Sequence, residues 1–82
     1  MQHVLEVSKI FDQFTVKNRV KVARVEKGLT QEQLASLVGI TRQTIGLIEA
    51  GKYNPSIRLC LFISHVVEKK VHEIFWLEED KQ

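Results

Sequence analysis

The chain has 82 residues, a formal net charge of +2 and an apolar content of 44%. This length allows one domain with a thin core, and a composition with one Pro and four Gly excludes a disordered or fibrous protein. No apolar run approaches the roughly 20 residues that span a bilayer, and the N-terminus lacks the pattern of a secretory signal. A single cysteine cannot form an internal disulfide, so we expect a cytoplasmic protein.

Positive charge is concentrated in the middle of the chain. Residues 17–58 contain eight Lys or Arg against three Glu, a net charge of +5, whereas residues 59–82 carry −2 and residues 1–16 carry −1. A local excess of this kind is the electrostatic footprint of a surface that meets nucleic-acid phosphates. The middle of the chain is therefore the candidate binding region.

The N-terminal part fits no single period. Its apolar residues are compatible with a short helix, a strand or a loose arm, so residues 1–14 are treated as an arm of unclear structure and residues 15–82 as the folded domain. Apolar residues at helical spacing from Val16 onward predict a first helix over about 18–27. Gly28 is a suitable stop for that helix.

Capping residues locate the second and third helices. Thr30 and Gln33 have the spacing of a capping box, which predicts a helix start, and Gly39 predicts the turn that follows. Thr41 predicts the cap of a third helix, which ends near residues 50–51. The residues expected to face inward are Leu34, Ala35, Val38, Ile45 and Ile48.

The fourth predicted helix, about 56–68, is apolar nearly all round, and a short fifth helix follows over about 71–75. We assign the inner stripe of the fourth helix to Ile57, Cys60, Leu61, Ser64 and Val67. A second stripe consists of Leu59, Phe62, Ile63 and Val66. A helix that is apolar on two sides is buried on two sides, and in so small a domain the second burial indicates another chain.

Residues 29–49 thus form two short helices joined by a glycine turn, and the second helix has a polar leading edge. A helix of this kind can enter the major groove of DNA and read base edges. Together with their spacing, these stretches resemble the Cro/repressor-type helix-turn-helix family, also called the xenobiotic-response-element family. The match spans about residues 17–77 and is carried by residues 24–31, 34–35, 39–45, 48–49 and 51–56.

The resemblance implies an all-α, compact five-helix domain of the lambda-repressor-like type. Some compact relatives also pair a strand before the first helix with one after the fifth, and residues 15–17 and 76–78 are the candidates for such a two-stranded β-ribbon. The implied function is sequence-specific transcription regulation, typically repression, by a homodimer that binds a palindromic operator in double-stranded DNA. An enzyme, a cofactor and a membrane partner are not implied, and the nature of any small-molecule effector is left open.

The resemblance also implies roles for individual residues. Arg42, Gln43, Thr44 and Leu47 are expected to contact bases. Phosphate contacts are expected from Gln31, Thr41, Lys52, Tyr53 and Asn54. Arg24 and Glu49 match a structural ion pair between the first and third helices.

Several of the expected base contacts also have simpler interpretations. Arg42 and Gln43 could be a solvated helix start, although Arg suits guanine and Gln suits adenine. Thr44 could cap the helix, contact phosphate or do both. Leu47 could touch a thymine methyl or simply pack.

Two departures from the family pattern stand out. Gly46 sits within the third helix, where glycine costs up to about 1 kcal/mol relative to Ala. The usual small-residue turn before the fifth helix is replaced by residues 68–70.

Apolar residues of the fourth and fifth helices, and just beyond them, that are not assigned to the predicted core indicate a homodimer interface. They are Leu59, Phe62, Ile63, Val66, Ile74, Phe75 and Trp76. The alternative is an antitoxin-like or adaptor protein, in which the same stripe binds a different protein. The spacing of His3, Cys60, His65 and His72 matches no common zinc pattern, so we expect no metal.

Overall fold

The structure is a computed structural model that describes residues 12–80, so most of the predicted N-terminal arm, residues 1–11, lies outside the described residues. Between residues 12 and 80 it contains two strands and five helices. In chain order they are β1 (Phe14–Asn18), α1 (Val20–Glu26), α2 (Gln31–Val38), α3 (Arg42–Glu49), α4 (Ile57–Val67), α5 (Val71–Ile74) and β2 (Phe75–Glu79). The mostly helical fold with a small ribbon agrees with the predicted fold class.

The β-ribbon joins the two ends of the domain. β1 and β2 are antiparallel, and the register pairs Thr15 with Glu78, Val16 with Leu77 and Lys17 with Trp76. The predicted strand pairing is therefore confirmed. The assignment of Val16 to helical spacing is wrong, because its backbone is part of this ladder.

α1 begins at Val20, two residues later than predicted. Asn18 is the last residue of β1, and its side-chain oxygen accepts the N–H of Val20 at 3.0 Å. This bond satisfies a backbone donor that the first helical turn leaves without an intrahelical partner. The N–H of Arg19 donates to the carbonyl of Ile74 at 2.8 Å, which ties the start of α1 to the end of α5.

The predicted caps of α2 and α3 are present. Thr30 Oγ1 accepts the N–H of Gln33 at 3.0 Å, while the Gln33 side chain accepts the N–H of Thr30 at 2.9 Å. Gly39 ends α2 with φ of 78°, a left-handed conformation that favours glycine. Thr41 Oγ1 then accepts the N–H of Thr44 at 3.2 Å and starts α3. These caps fix the length of the turn and so the position of α3.

The core is formed by all five helices and includes Val20, Ala23, Leu34, Ala35, Ile45, Ile48, Ile63, Val67 and Ile74. α4 buries Cys60, Ser64 and Val67 of its predicted inner stripe, and the assignment of Ile57 and Leu61 to that stripe is wrong. Its buried residues are Cys60, Ile63, Ser64 and Val67, whereas Ile57 is 70% exposed and Leu61 is 54% exposed. Ile57, Leu61 and Ile63 each lie at helical spacing from the three correctly predicted residues, so periodicity alone could not decide which of them is buried.

Two residues of the predicted dimer interface are core residues instead. Ile63 is 0% exposed and Ile74 is 2% exposed, so neither has surface to offer a second chain. Their assignment to the interface is wrong, because the core of one protomer already buries them.

The corner between α4 and α5 is held by charged side chains. Glu68 adopts the left-handed φ of 59° that glycine usually supplies at a helix end, and its carboxylate pairs with Lys27. The N–H of Lys70 donates to the Glu73 carboxylate at 2.7 Å, and this bond lowers the pKa of Glu73. The cap therefore contributes stability above the ordinary pKa of glutamate and loses it as the carboxyl is protonated at lower pH.

Candidate nucleic-acid interface

α3 presents one face to the core and the other to solvent. Ile45 and Ile48 are 0% and 1% exposed, so they fix the rotation of the helix about its axis. Arg42 and Gln43 lie on the first turn of the opposite face and are exposed. Leu47, one turn further on, keeps 38% of its surface exposed. The exposed face of α3 thus carries two hydrogen-bonding side chains followed by one apolar side chain.

Thr41 and Thr44 organise the start of this face. Their hydroxyl oxygens lie 2.9 Å apart, in addition to the bond from the N–H of Thr44 to Thr41 Oγ1. Thr44 is half-buried and Thr41 is exposed. The pair therefore acts first as a cap, and each hydroxyl retains capacity for a further hydrogen bond.

An almost buried ion pair holds α3 against α1. Arg24 Nε donates to Glu49 Oε2 at 2.7 Å, and Arg24 Nη2 donates to Glu49 Oε1 at 3.3 Å. The two side chains are only 10% and 5% exposed, and Arg24 Nη1 also donates to the carbonyl of Leu29 at 2.9 Å. This bidentate arrangement links α1, the loop before α2 and the last turn of α3.

Gln31 joins the same network, which the sequence did not indicate. Its Nε2 donates to Glu49 Oε1 at 3.0 Å, so the side chain is half-buried rather than a free surface amide. An amide carries two donors, and the second remains available for a phosphate oxygen.

Gly46 lies within α3, close to Gln31. A Cβ added at Gly46 would meet Gln31 Nε2 at 3.8 Å, an ordinary contact, so the space around Gly46 does not require glycine.

Asn18 is a second positioning residue that sequence reasoning missed. Its Nδ2 donates to the carbonyl of Ile48 at 2.8 Å, which ties the last turn of α3 to the end of β1. No motif singles out this asparagine. Its role depends on where β1 ends relative to α3, which is a property of the tertiary structure.

The start of α2 and the start of α3 share one polar surface groove. It is lined by Arg24, Thr30, Gln31, Glu32 and Arg42. The N-terminus of a helix attracts anions because its backbone N–H groups and dipole point outward. The structure therefore brings an expected phosphate-contacting residue, Gln31, beside an expected base-contacting residue, Arg42.

The loop after α3 carries the remaining candidates for phosphate contact, Lys52, Tyr53 and Asn54. All three are exposed, and Tyr53 keeps 47% of its surface in solvent. Gly51 ends the helix with φ of 74°, and the N–H of Lys52 donates to the carbonyl of Leu47 at 2.8 Å. The start of the loop is thus fixed relative to the exposed face of α3.

Five residues of the predicted dimer interface keep some exposed surface. Leu59, Val66 and Phe75 are half-buried against the core, and Phe62 is 43% exposed. Trp76 is half-buried, and the Arg19 guanidinium carbon lies 5.2 Å from the centre of its ring. These side chains offer apolar surface beside the core.

The cysteine and histidines form no metal centre in the described part of the chain, where no group of three or more His, Cys, Asp or Glu is placed to hold an ion. Cys60 is buried, and burial raises the pKa of its thiol, which keeps it protonated and inert. Of the four residues considered for zinc binding, which are His3, Cys60, His65 and His72, His3 lies outside residues 12–80. Within that same range, no helix is long and apolar enough to cross a bilayer.

Comparison with known proteins agrees with this geometry. The helix-turn-helix family model matches residues 20–74. An uncharacterized HTH-type transcriptional regulator of Bacillus subtilis, YgzD, is 46% identical over 65 residues, which cover 79% of this chain and 98% of the relative. The immunity repressor protein of Bacillus phage phi105 is 44% identical over 43 residues, 52% of this chain and 30% of the repressor.

A solved structure shares the fold at a lower level of identity. The restriction-modification controller protein C.AhdI from Aeromonas hydrophila superposes with a TM-score of 0.62 and 33% identity, covering 66% of this chain and 82% of the controller. The family match spans α1 to α5. It agrees with the exposed leading edge of α3 and with the positive charge in the middle of the chain. The chain belongs to the helix-turn-helix family of DNA-binding transcription regulators.

Proposed function

We propose that this regulator is a homodimeric repressor that reads the major groove with α3. The observation that carries the proposal is the pair of exposed side chains, Arg42 and Gln43, on the first turn of a helix whose opposite face is locked into the core. Arg can bond guanine through O6 and N7, and Gln can bond adenine through N6 and N7. Thr44 and Leu47 complete the reading face, Leu47 by contact with a thymine methyl.

Phosphate contacts on either side of α3 would set its position in the groove without reading sequence. Gln31 and Thr41 precede the reading face, and Lys52, Tyr53 and Asn54 follow it. In this proposal Gln31 donates one N–H to Glu49 and the other to a phosphate oxygen. The DNA backbone is then coupled directly to the ion pair that holds α3.

Methylation interference tests whether the major groove is used. Dimethyl sulfate methylates guanine N7, which faces that groove, so premethylated duplexes should be depleted from the bound fraction at specific guanines. The probe is a bound duplex recovered from a random pool. Equal recovery of methylated and unmethylated duplexes would contradict major-groove reading by α3.

Lys52→Ala should weaken binding to the selected duplex and to an unrelated duplex by about the same factor. Because one phosphate contact is lost in each half-site, the magnitude of the slope of log affinity against log salt should fall by about one per protomer, or about two for the dimer. Anisotropy titrations at several salt concentrations measure both quantities. Lys69→Ala is the matched control, since Lys69 pairs with Glu26 at 3.6 Å and is not among the proposed DNA contacts. A loss confined to the selected sequence would mean that Lys52 reads bases.

The homodimer is proposed on four of the surface residues that remain from the predicted interface: Leu59, Phe62, Val66 and Phe75. Trp76 follows Phe75 in β2, so it lies on the opposite face of the ribbon, beside Arg19. Leu59, Phe62 and Val66 are spaced by three and four residues, so they share one side of α4. A two-fold axis through that side would join two protomers by the same patch. Two copies of α3 about 34 Å apart would then face successive turns of the groove at a palindromic site.

Phe62→Glu should convert the dimer to a monomer and lower operator affinity, because one half-site contact is lost. Sedimentation equilibrium measures the mass, and circular dichroism checks that the helices remain. Val25→Glu is the control, because Val25 is an apolar residue that is 59% exposed on α1. A monomeric unmodified protein at micromolar concentration would contradict the homodimer.

The sign of regulation rests on the similarity to the phage immunity repressor and is tested separately. Transcription in vitro from a template that carries the selected site within its promoter should fall when the protein is added. A rise in transcript would make the protein an activator while leaving DNA reading by α3 in place.

A further inference from the structure

An apolar and basic groove lies along the outer side of α4. We call it the α4 groove; it is lined by Ile57, Arg58, Leu61, Phe62 and His65 and has a volume of about 510 Å³. The guanidinium carbon of Arg58 lies 4.8 Å from the centre of the Phe62 ring, so a positive charge is held over apolar surface. With Ile57 70% and Leu61 54% exposed, the groove is open to solvent in the protomer.

The tip of the β-ribbon presents an apolar and acidic surface. The register pairs Phe14 with Glu79 and Val16 with Leu77. Because side chains alternate between faces along a strand, these four residues share one face, which we call the ribbon face. Val16 is 41% exposed and Leu77 is 63% exposed, and Glu79 places a negative charge at the end of the face.

The two surfaces are complementary in both polarity and charge. Each is apolar, and the α4 groove carries the positive charge of Arg58 where the ribbon face carries the negative charge of Glu79. Within one protomer they do not cover each other, since Leu61 and Leu77 both keep more than half of their surface exposed. Two complementary surfaces left open on the same molecule favour self-association.

We infer that the ribbon face of each protomer docks into the α4 groove of a second copy of the chain. This inference rests on the proposed homodimer and adds to it a reciprocal contact, made twice around the two-fold axis. Phe62 belongs both to the α4 groove and to the proposed dimer patch, so the two surfaces are continuous. A two-stranded ribbon is marginally stable in water, and docking would bury the apolar face that the protomer leaves exposed.

Charge reversal with mixing tests this contact on the full-length chain. Arg58→Glu and Glu79→Lys should each raise the dimer dissociation constant at least roughly tenfold, because two like-charge contacts replace two opposite-charge ones. Mixing the two variants should restore association close to that of the unmodified protein. In the mixed dimer one contact is unmodified and the other has both charges reversed, so both are complementary.

Glu78→Lys is the matched control, since Glu78 pairs with Thr15 and lies on the opposite face of the ribbon from Glu79. It changes the net charge equally and should leave the dissociation constant within a factor of about two. Sedimentation velocity reports the association, and circular dichroism checks the fold of each variant.

The outcomes separate this contact from the homodimer itself. Loss of association in both single reversals, with recovery on mixing, supports the reciprocal contact. If both single reversals stay dimeric while Phe62→Glu dissociates, the homodimer stands and the ribbon contact is overturned. Dissociation without recovery on mixing also overturns the contact. A monomeric unmodified protein overturns both proposals, and a mass that grows continuously with concentration overturns the reciprocal arrangement.

Discussion

Arg24→Ala is expected to lower the free energy of unfolding by about 3–5 kcal/mol, a large fraction of the stability of so small a domain. The substitution removes all three hydrogen bonds of the guanidinium and leaves the Glu49 carboxylate, whose side chain is only 5% exposed, without its cation. A stranded charge of this kind is costly, because the interior solvates it poorly. Urea unfolding of the variant and the unmodified protein, at equal concentration, measures the loss.

Two further variants are the controls for Arg24→Ala. Lys27→Ala breaks an ion pair with Glu68 whose side chains are 39% and 69% exposed, so it should cost no more than about 1 kcal/mol. The double variant Arg24→Met with Glu49→Leu should be less damaging than either single change, since no unpaired charge remains. An Arg24→Ala protein as stable as the unmodified one would show that the pair adds nothing to the fold.

Gln43→Ala should weaken binding to the selected operator by about 1–3 kcal/mol for each half-site and relax the preference at one base pair in each half-site. The reason is its place on the first turn of α3, where an exposed amide can bond adenine with both of its polar groups. Gln43 is exposed, so the substitution should change stability by less than about 0.5 kcal/mol. Any loss of affinity would therefore reflect binding and not folding.

Operator variants show at which base pair the unmodified protein and Gln43→Ala differ. Each protein is titrated against duplexes that carry different base pairs at each half-site position. The unmodified protein should prefer one base pair at every position that it reads, and Gln43→Ala should lose that preference at one position. Gln43→Arg should shift the preference there from adenine toward guanine. Unchanged affinity and unchanged preference in both variants would remove Gln43 from the reading face.

Local signals in the sequence predicted the starts of α2 and α3 well. The capping box at Thr30 and Gln33, the glycine turn at Gly39 and the cap at Thr41 are each set by a few neighbouring residues. The ribbon was suggested by the family resemblance. By contrast, the start of α1 was misplaced because Val16 fits a helical period and a strand equally well in isolation.

The orientation of α4 could be predicted only in part from its own sequence. Cys60, Ser64 and Val67 were predicted to be buried and are, but Ile57, Leu61 and Ile63 fit the same helical period. Which of these three is buried depends on which other helices lie beside α4. The links from Gln31 to Glu49 and from Asn18 to Ile48 depend on tertiary contacts in the same way. The DNA contacts assigned to Arg42, Gln43 and the loop after α3 stay predictions.

The most direct test of the central claim is selection of bound duplexes from a random DNA pool by the purified, unmodified protein. A homodimer that reads the major groove with α3 should enrich a two-fold-symmetric sequence whose half-sites are centred about 34 Å apart, one turn of DNA. If repeated rounds enrich no sequence above the starting pool while the protein forms a stoichiometric complex with a different protein, the account is contradicted and the adaptor alternative takes its place.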